Sequence, residues 1–133
     1  MTAMPSVGGA FAESAELTFP DEGAPAGLVV QVLSEGDGPT VTAGREISVH
    51  YHGQIWDGDV FDSSFSRGAP TSFPIGVGMV IQGWDQGLVG KNVGSRVLLS
   101  IPPEKGYGVR GMPAAGIKGT DTLVFVVDIL GVR

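Results

Sequence analysis

From Leu28 the chain alternates with the period of a β-strand: Leu28, Val30 and Val32 fall on one side, Val29, Gln31 and Leu33 on the other. Gly36-Asp37-Gly38-Pro39 ends that run. Ile47, Val49 and Tyr51 then alternate with Ser48, His50 and His52, the pattern of a half-buried strand. Asp57-Gly58 predicts a tight turn that leads into Val60-Phe61-Asp62. After the break at Arg67-Gly68-Ala69-Pro70, Thr71 to Ile75 predicts a short strand, and Pro74 puts it at an edge or a bulge. The period then changes. Val80, Ile81, Trp84 and Leu88 recur at helical spacing, which predicts a helix of about three turns over Met79 to Val89. Gly83 and Gly87 inside it each cost about 1 kcal/mol relative to alanine, so the predicted helix lies very close to another backbone.

Strands resume with Val97, Leu99 and Ile101, which alternate with Arg96, Leu98 and Ser100 up to Pro102-Pro103. A long loop rich in glycine and proline follows, from Glu104 to Asp121. Thr122 to Val132 is apolar on both faces apart from Asp128, the mark of a central strand. A lone helix among about five strands gives an α+β domain, with the helix covering one sheet face and the other face free to meet water. Residues 1 to about 15 are small and polar and show neither period, and Pro20, Asp21, Gly23 and Pro25 then form a turn-rich entry segment. Residues 1–20 are therefore expected as a flexible tail, and 21–133 as one domain.

Composition narrows the function. The 133 residues fit one domain with a core of its own. The chain has no cysteine, which removes disulfides, zinc–thiolate sites and cysteine nucleophiles. A formal net charge of −6 argues against a nucleic-acid partner, which needs a basic face. No apolar run approaches the roughly 20 residues that cross a bilayer, and no membrane partner is expected. The first twenty residues lack a positive segment and a continuous apolar segment, so no signal peptide is expected and the cytoplasm is the expected location. His50 and His52 share a strand face and admit a metal-binding reading. Two solvent-facing histidines are the favoured reading, because no third ligand of suitable type is evident.

Four segments now carry a resemblance. Val49-His50-Tyr51-His52-Gly53, Asp57-Gly58 and Phe61-Asp62-Ser63-Ser64 resemble the first signature block of the FKBP family. Val80-Ile81-Gln82-Gly83-Trp84-Asp85-Gln86-Gly87-Leu88 is similar to the second, and Val93-Gly94 with Ile101-Pro102-Pro103 and Tyr107-Gly108 to the third. Thr122-Leu123-Val124-Phe125 is similar to the last. The likeness runs in collinear order over residues 27–132. It implies an antiparallel sheet of about five strands curled around one short helix, and peptidyl-prolyl cis–trans isomerase activity. It also implies proline-containing peptides and unfolded or client proteins as partners, tacrolimus or rapamycin as ligands of the same pocket, and a monomer. By position, the resemblance makes Tyr51, Phe61, Asp62, Trp84, Tyr107 and Phe125 the catalytic set, with the Trp84 indole as pocket floor. Arg67, Phe73, Val80, Ile81 and Ile117 would contact substrate or macrolide, Ile117 from a loop leaning over the pocket. Thr71 stands where relatives often carry an aromatic, and Met79 replaces a common polar residue. The loop after Pro113 is about one residue longer than the eukaryotic pattern.

Such residues suit amide rotation. Resonance sets a barrier of about 18–20 kcal/mol, while cis and trans before proline differ by only about 0.5–1 kcal/mol. The twisted transition state has lost resonance and its carbonyl is less polarised. It loses less on leaving water than the planar ground state, so an apolar aromatic cup favours it by differential binding. No cofactor, nucleophile or metal is needed. The alternative class is a macrolide- or client-binding adaptor or chaperone with weak catalysis. Joint presence of Tyr51, Asp62, Trp84, Tyr107 and Phe125 favours the enzyme.

Overall fold

The computed structural model describes residues 3–133. Its main sheet is antiparallel and has six strands: β3 (Val29–Ser34), β4 (Glu46–Ile55), β5 (Val60–Ser63), β6 (Thr71–Pro74), β7 (Arg96–Ile101) and β8 (Leu123–Val132). They run in the order β3-β7-β8-β4-β5, with β6 also pairing β4. The free edge of β4 is divided, since Glu46 to Val49 face β6 and His52 to Gln54 face β5. β8 pairs β7 on one side and β4 on the other, the central place its two apolar faces predict. Pro74 ends β6 opposite Glu46 at the sheet margin, where a missing N–H is tolerated.

The inner face carries the main core. Ile47, Val49 and Tyr51 of β4, Val97, Leu99 and Ile101 of β7, and Leu123, Phe125, Val127 and Ile129 of β8 pack there with Trp84 and Leu88. The helix that covers them is α2 (Gln82–Leu88), two turns rather than the predicted three. Ile81 caps it in an extended conformation, and Met79 and Val80 lie in the preceding loop. Its glycines meet side chains of the sheet rather than a backbone. A Cβ on Gly83 would lie 2.6 Å from Ile101 Cδ1, and one on Gly87 2.6 Å from Leu99 Cδ2. One further helical turn, α1 (Ser64–Arg67), follows β5, with Ser63 as its cap and Gly68 closing it at φ 72°. Three 3₁₀ turns, at Pro103–Lys105, Gly108–Arg110 and Pro113–Ala115, open and punctuate the segment expected as a loop over Glu104–Asp121.

The expected flexible tail over residues 1–20 is corrected from Ser6 onward; Met1 and Thr2 lie outside the described residues. β1 (Ser6–Gly8) and β2 (Glu16–Thr18) form a hairpin in register Ser6–Thr18, Val7–Leu17, Gly8–Glu16. Three-residue strands are too short to display a period of two, which is why the pattern was silent there. The hairpin belongs to a second apolar cluster, in which Ala15, Met4, Val7, Leu17 and Phe19 pack with Leu98, Val124, Val126 and Trp56. That layer covers part of the sheet face expected to meet water.

Under the hairpin loop sits an ion pair. Arg96 is 2% exposed and Asp128 0%. Arg96 Nε donates to Asp128 Oδ1 at 2.7 Å and Nη2 to Oδ2 at 3.0 Å. The same guanidinium donates to the carbonyls of Gly9 and Glu13, and the Ala12 N–H donates to Asp128 Oδ2 at 2.7 Å. Burial of two charges is tolerated because each is paired and further hydrogen-bonded.

Candidate active site

A cavity of about 490 Å³ opens where β4, β5, β6 and β8 meet α2. Its floor is aromatic. The Trp84 ring lies 5.2 Å from Tyr51, 5.3 Å from Phe73 and 5.1 Å from Phe125, between centroids. Phe61 stands edge-on to Phe125 at 5.5 Å. The Tyr51–Trp84, Trp84–Phe125 and Phe61–Phe125 pairs are near perpendicular, which satisfies the ring quadrupoles, and Phe73 is tilted on Trp84. Strand alternation aims Tyr51 and Phe125 inward, and Gly53 between them on β4 leaves room. A Cβ there would stand 2.8 Å from Phe125 Cε1 and 2.9 Å from Phe61 Cζ.

Of the residues expected at the site, Tyr51, Phe61, Asp62, Phe73, Val80, Ile81, Trp84, Tyr107 and Phe125 all line this cavity. Thr71 and Met79 line it as well, and so does Gly78, which no sequence signal singled out. Arg67 stands behind the lining. Its guanidinium pairs with Asp62, donates to the Tyr51 hydroxyl at 3.2 Å and to Thr71 Oγ1 at 3.4 Å, and lies 5.6 Å from the Tyr51 ring centroid. Ile117 differs from expectation. It is not among the residues that line the cavity; its side chain packs in the main core, and its N–H and C=O both pair with Met112.

The polar groups divide into a fixed set and a free set. The Tyr51 hydroxyl donates to Asp62, and Arg67 completes the triad. Burial pushes the Tyr51 phenol above its usual range, and the hydrogen bond to Asp62 raises it further, while Arg67 pulls the other way. Burial likewise raises Tyr107, with the Asp62 charge adding to it. Among the described residues, the Tyr107 hydroxyl and the Ile81 N–H have no acceptor, and the buried Trp84 Nε1–H of the floor has none either. Ile81 precedes the first turn of α2, where a backbone donor has no intrahelical partner.

His50 and His52 are engaged elsewhere. His50 Nδ1 lies 2.8 Å from Ser64 Oγ, with its ring stacked on Phe65, and His52 Nε2 lies 2.9 Å from Gln54 Oε1.

Residues 38–130 match the family described as FKBP-type peptidyl-prolyl cis-trans isomerase. An FK506-binding protein of Streptomyces anulatus is 45% identical over 121 residues, covering 90% of this chain and 98% of its own. FK506-binding protein 1 of Debaryomyces hansenii is 47% identical over 111 residues, covering 83% and 98%. The crystal structure of AtFKBP13 superposes with a TM-score of 0.74 at 39% identity, over 83% of this chain and 96% of that one. An aromatic cup beside a short helix, matched across most of the chain, leads to one conclusion: the chain belongs to the FKBP-type peptidyl-prolyl cis–trans isomerase family.

Proposed function

We propose that this peptidyl-prolyl cis–trans isomerase holds the substrate proline on the Trp84 indole, within walls formed by Tyr51, Phe61 and Phe125. The observation that carries the reading is the composition of the cup, an aromatic floor with the Ile81 N–H and the Tyr107 hydroxyl unengaged beside it. The Ile81 N–H and the Tyr107 hydroxyl hydrogen-bond carbonyls of the peptide and fix its course. With the ends held, the apolar cup takes the amide out of water, and the twisted form, with its less polarised carbonyl, gains relative to the planar one. Asp62 does not act as a base, since rotation moves no proton. It orients Tyr51 and Arg67 and keeps the rim in one arrangement.

Macrolides such as tacrolimus compete for the same cup, which the FK506-binding names of the relatives support. Unfolded or client proteins are the substrates, and the protein acts as a monomer in the cytoplasm, a reading that rests on its acidic, cysteine-free composition.

The test is cis–trans exchange of Leu-Pro and Phe-Pro peptides, with and without tacrolimus. Faster exchange than in buffer, suppressed by tacrolimus, is expected. Trp84→Leu keeps an apolar side chain and reshapes the floor, and should change both rate and tacrolimus affinity in a folded protein. Wild-type values for both would overturn the pocket assignment, and exchange at the buffer rate would leave a client-binding adaptor.

A further inference from the structure

We infer that Asp85 is a positioning residue for catalysis: its carboxylate holds the rim loop Gly76–Val80, which leads into the Ile81 N–H and places Gly78, Met79 and Val80 against the cavity. The proposal rests on the role of Ile81 given above. The loop from Gly76 to Val80 links the end of β6 to α2, and three of its members, Gly78, Met79 and Val80, line the cavity. Its two ends are anchored by backbone bonds. Ile75 is fully buried, donates to Arg45 C=O at 3.0 Å and accepts from Gly44 N–H at 2.8 Å. Ile81 C=O accepts from Trp84 and Asp85 N–H at 3.0 and 3.3 Å.

Between those anchors the loop has little of its own to hold it. Val77 is 53% exposed and Met79 69%, so apolar packing supplies little. Gly76 and Gly78 sit at φ of 80° and 79°, where a tight reversal needs glycine and the chain gains no rigidity from a side chain. Among the described residues, the hydrogen bonds that reach Gly76 to Val80 come from one group. Asp85 Oδ1 accepts from Gly76 N–H at 2.7 Å and Oδ2 from Gly78 N–H at 2.9 Å. An ionised carboxylate accepting two N–H bonds makes a stronger tether than a neutral acceptor.

The geometry also joins the tether to the floor. Asp85 follows Trp84 in the first turn of α2, so one helical turn sends the indole into the cavity and the carboxylate to the loop. The rim loop that bears Gly78, Met79 and Val80 is thereby tied to the element that carries the floor, to which Ile81 is already held by its own carbonyl. A rotation catalyst needs that placement constant, since small misplacement of a positioned group costs rate out of proportion to the displacement.

The experiment compares Asp85→Ala and Asp85→Asn with wild type by steady-state exchange of a Phe-Pro peptide, per folded molecule, and by amide hydrogen exchange at residues 76–81. Asp85→Asn keeps the shape and one acceptor oxygen, so it stays informative where the alanine variant folds poorly. The expected result is a fall in kcat/KM of about ten- to a hundredfold for Asp85→Ala, a smaller fall for Asp85→Asn, and faster exchange confined to the loop. Wild-type kcat/KM per folded molecule in Asp85→Asn, with the loop amides exchanging faster, would overturn the proposal, since the tether would then be structural only. A wild-type protein with no activity on the peptide would instead overturn the reading of the cup itself, and the two failures are thus distinct.

Discussion

Tyr107 and Tyr51 are both phenols of the cup, yet their hydroxyls do different things. Tyr51 is engaged by Asp62 and Arg67, so its proton has a place before substrate arrives. Among the described residues Tyr107 has no such partner, which leaves its hydroxyl open to a peptide carbonyl. Tyr107→Phe removes that donor alone and should weaken macrolide or peptide binding by about 0.5–1.5 kcal/mol with the melting temperature unchanged. Tyr51→Phe should act differently, because it leaves the Asp62 carboxylate and Arg67 to re-pair beside an apolar wall. Binding by Tyr107→Phe at wild-type strength would remove the hydroxyl from the mechanism. The pH dependence follows from the same two groups. Both phenols are raised above the ordinary value of 10.0, so the fold favours their protonated forms. That contribution to stability is complete below the unfolded value and is lost as pH rises through the folded values. Exchange rates should therefore be flat from about pH 6 to 9 and decline only above the ordinary phenol range. A rate–pH profile with an inflection near neutrality would point to a titrating group outside this pair.

At the scale of the element, α2 shows how much of the site was legible in the chain. The spacing of Val80, Ile81, Trp84 and Leu88 announces a helix with Trp84 on its buried face, and the strand alternation around Tyr51 and Phe125 announces which residues face it. Helical periodicity does not see where a helix starts. Val80 and Ile81 fit the period but lie outside the helix, because the chain enters through the Gly76–Gly78 loop that Asp85 ties back. Gly78 and the tether depend on a backbone reversal, which leaves no mark in hydrophobic pattern. Ile117 is ambiguous in the sequence for a related reason: an apolar residue in a glycine-rich loop reads the same whether it covers a pocket or fills the core. The two helix glycines allow a test of close packing. Alanine gains about 1 kcal/mol of helix propensity at either site. At Gly83 the new methyl meets three atoms of Ile101 at 2.6–2.7 Å, including the β-branch, which cannot swing clear. At Gly87 it meets the terminal Cδ2 of Leu99 and, at 3.3 Å, Val30. Gly83→Ala should destabilise by about 1–3 kcal/mol, and Gly87→Ala should be close to neutral. Denaturation midpoints at the wild-type value for both variants would show that α2 rides on the sheet loosely enough to shift.

For the molecule as a whole, the sheet separates two jobs. Its inner face carries the cup, and its outer face is closed in part by the β1–β2 hairpin over Arg96 and Asp128. In the sequence Leu98 stands among the residues that alternate with Val97, Leu99 and Ile101, and Val124 and Val126 belong to the second apolar face of the last strand. Arg96 and Asp128 stand in the same two strands, opposite in charge and, as the register shows, directly paired across β7 and β8. What the pattern lacked was the covering layer, since strands of three residues have too few positions to declare themselves. The buried pair makes the consequence measurable. Arg96→Met leaves the Asp128 carboxylate at 0% exposure with the Ala12 N–H as its remaining partner, and should cost about 3–5 kcal/mol. Adding Asp128→Leu removes the stranded charge and should recover most of that loss, because an apolar pair of similar volume substitutes for a buried ion pair at little net cost. The double variant still forgoes the bonds from Arg96 to Gly9 and Glu13, so a residual deficit measures how far the hairpin loop depends on them. In both variants kcat/KM per folded molecule should match wild type, because Trp84 and its neighbours lie on the other side of the sheet. Urea denaturation midpoints and Xaa-Pro exchange rates measured on the same samples separate the outcomes. A double variant as unstable as the single one would assign the stabilisation to the hairpin contacts rather than to relief of an unpaired charge. A changed kcat/KM with intact folding would show that the outer layer sets the shape of the cup through β8.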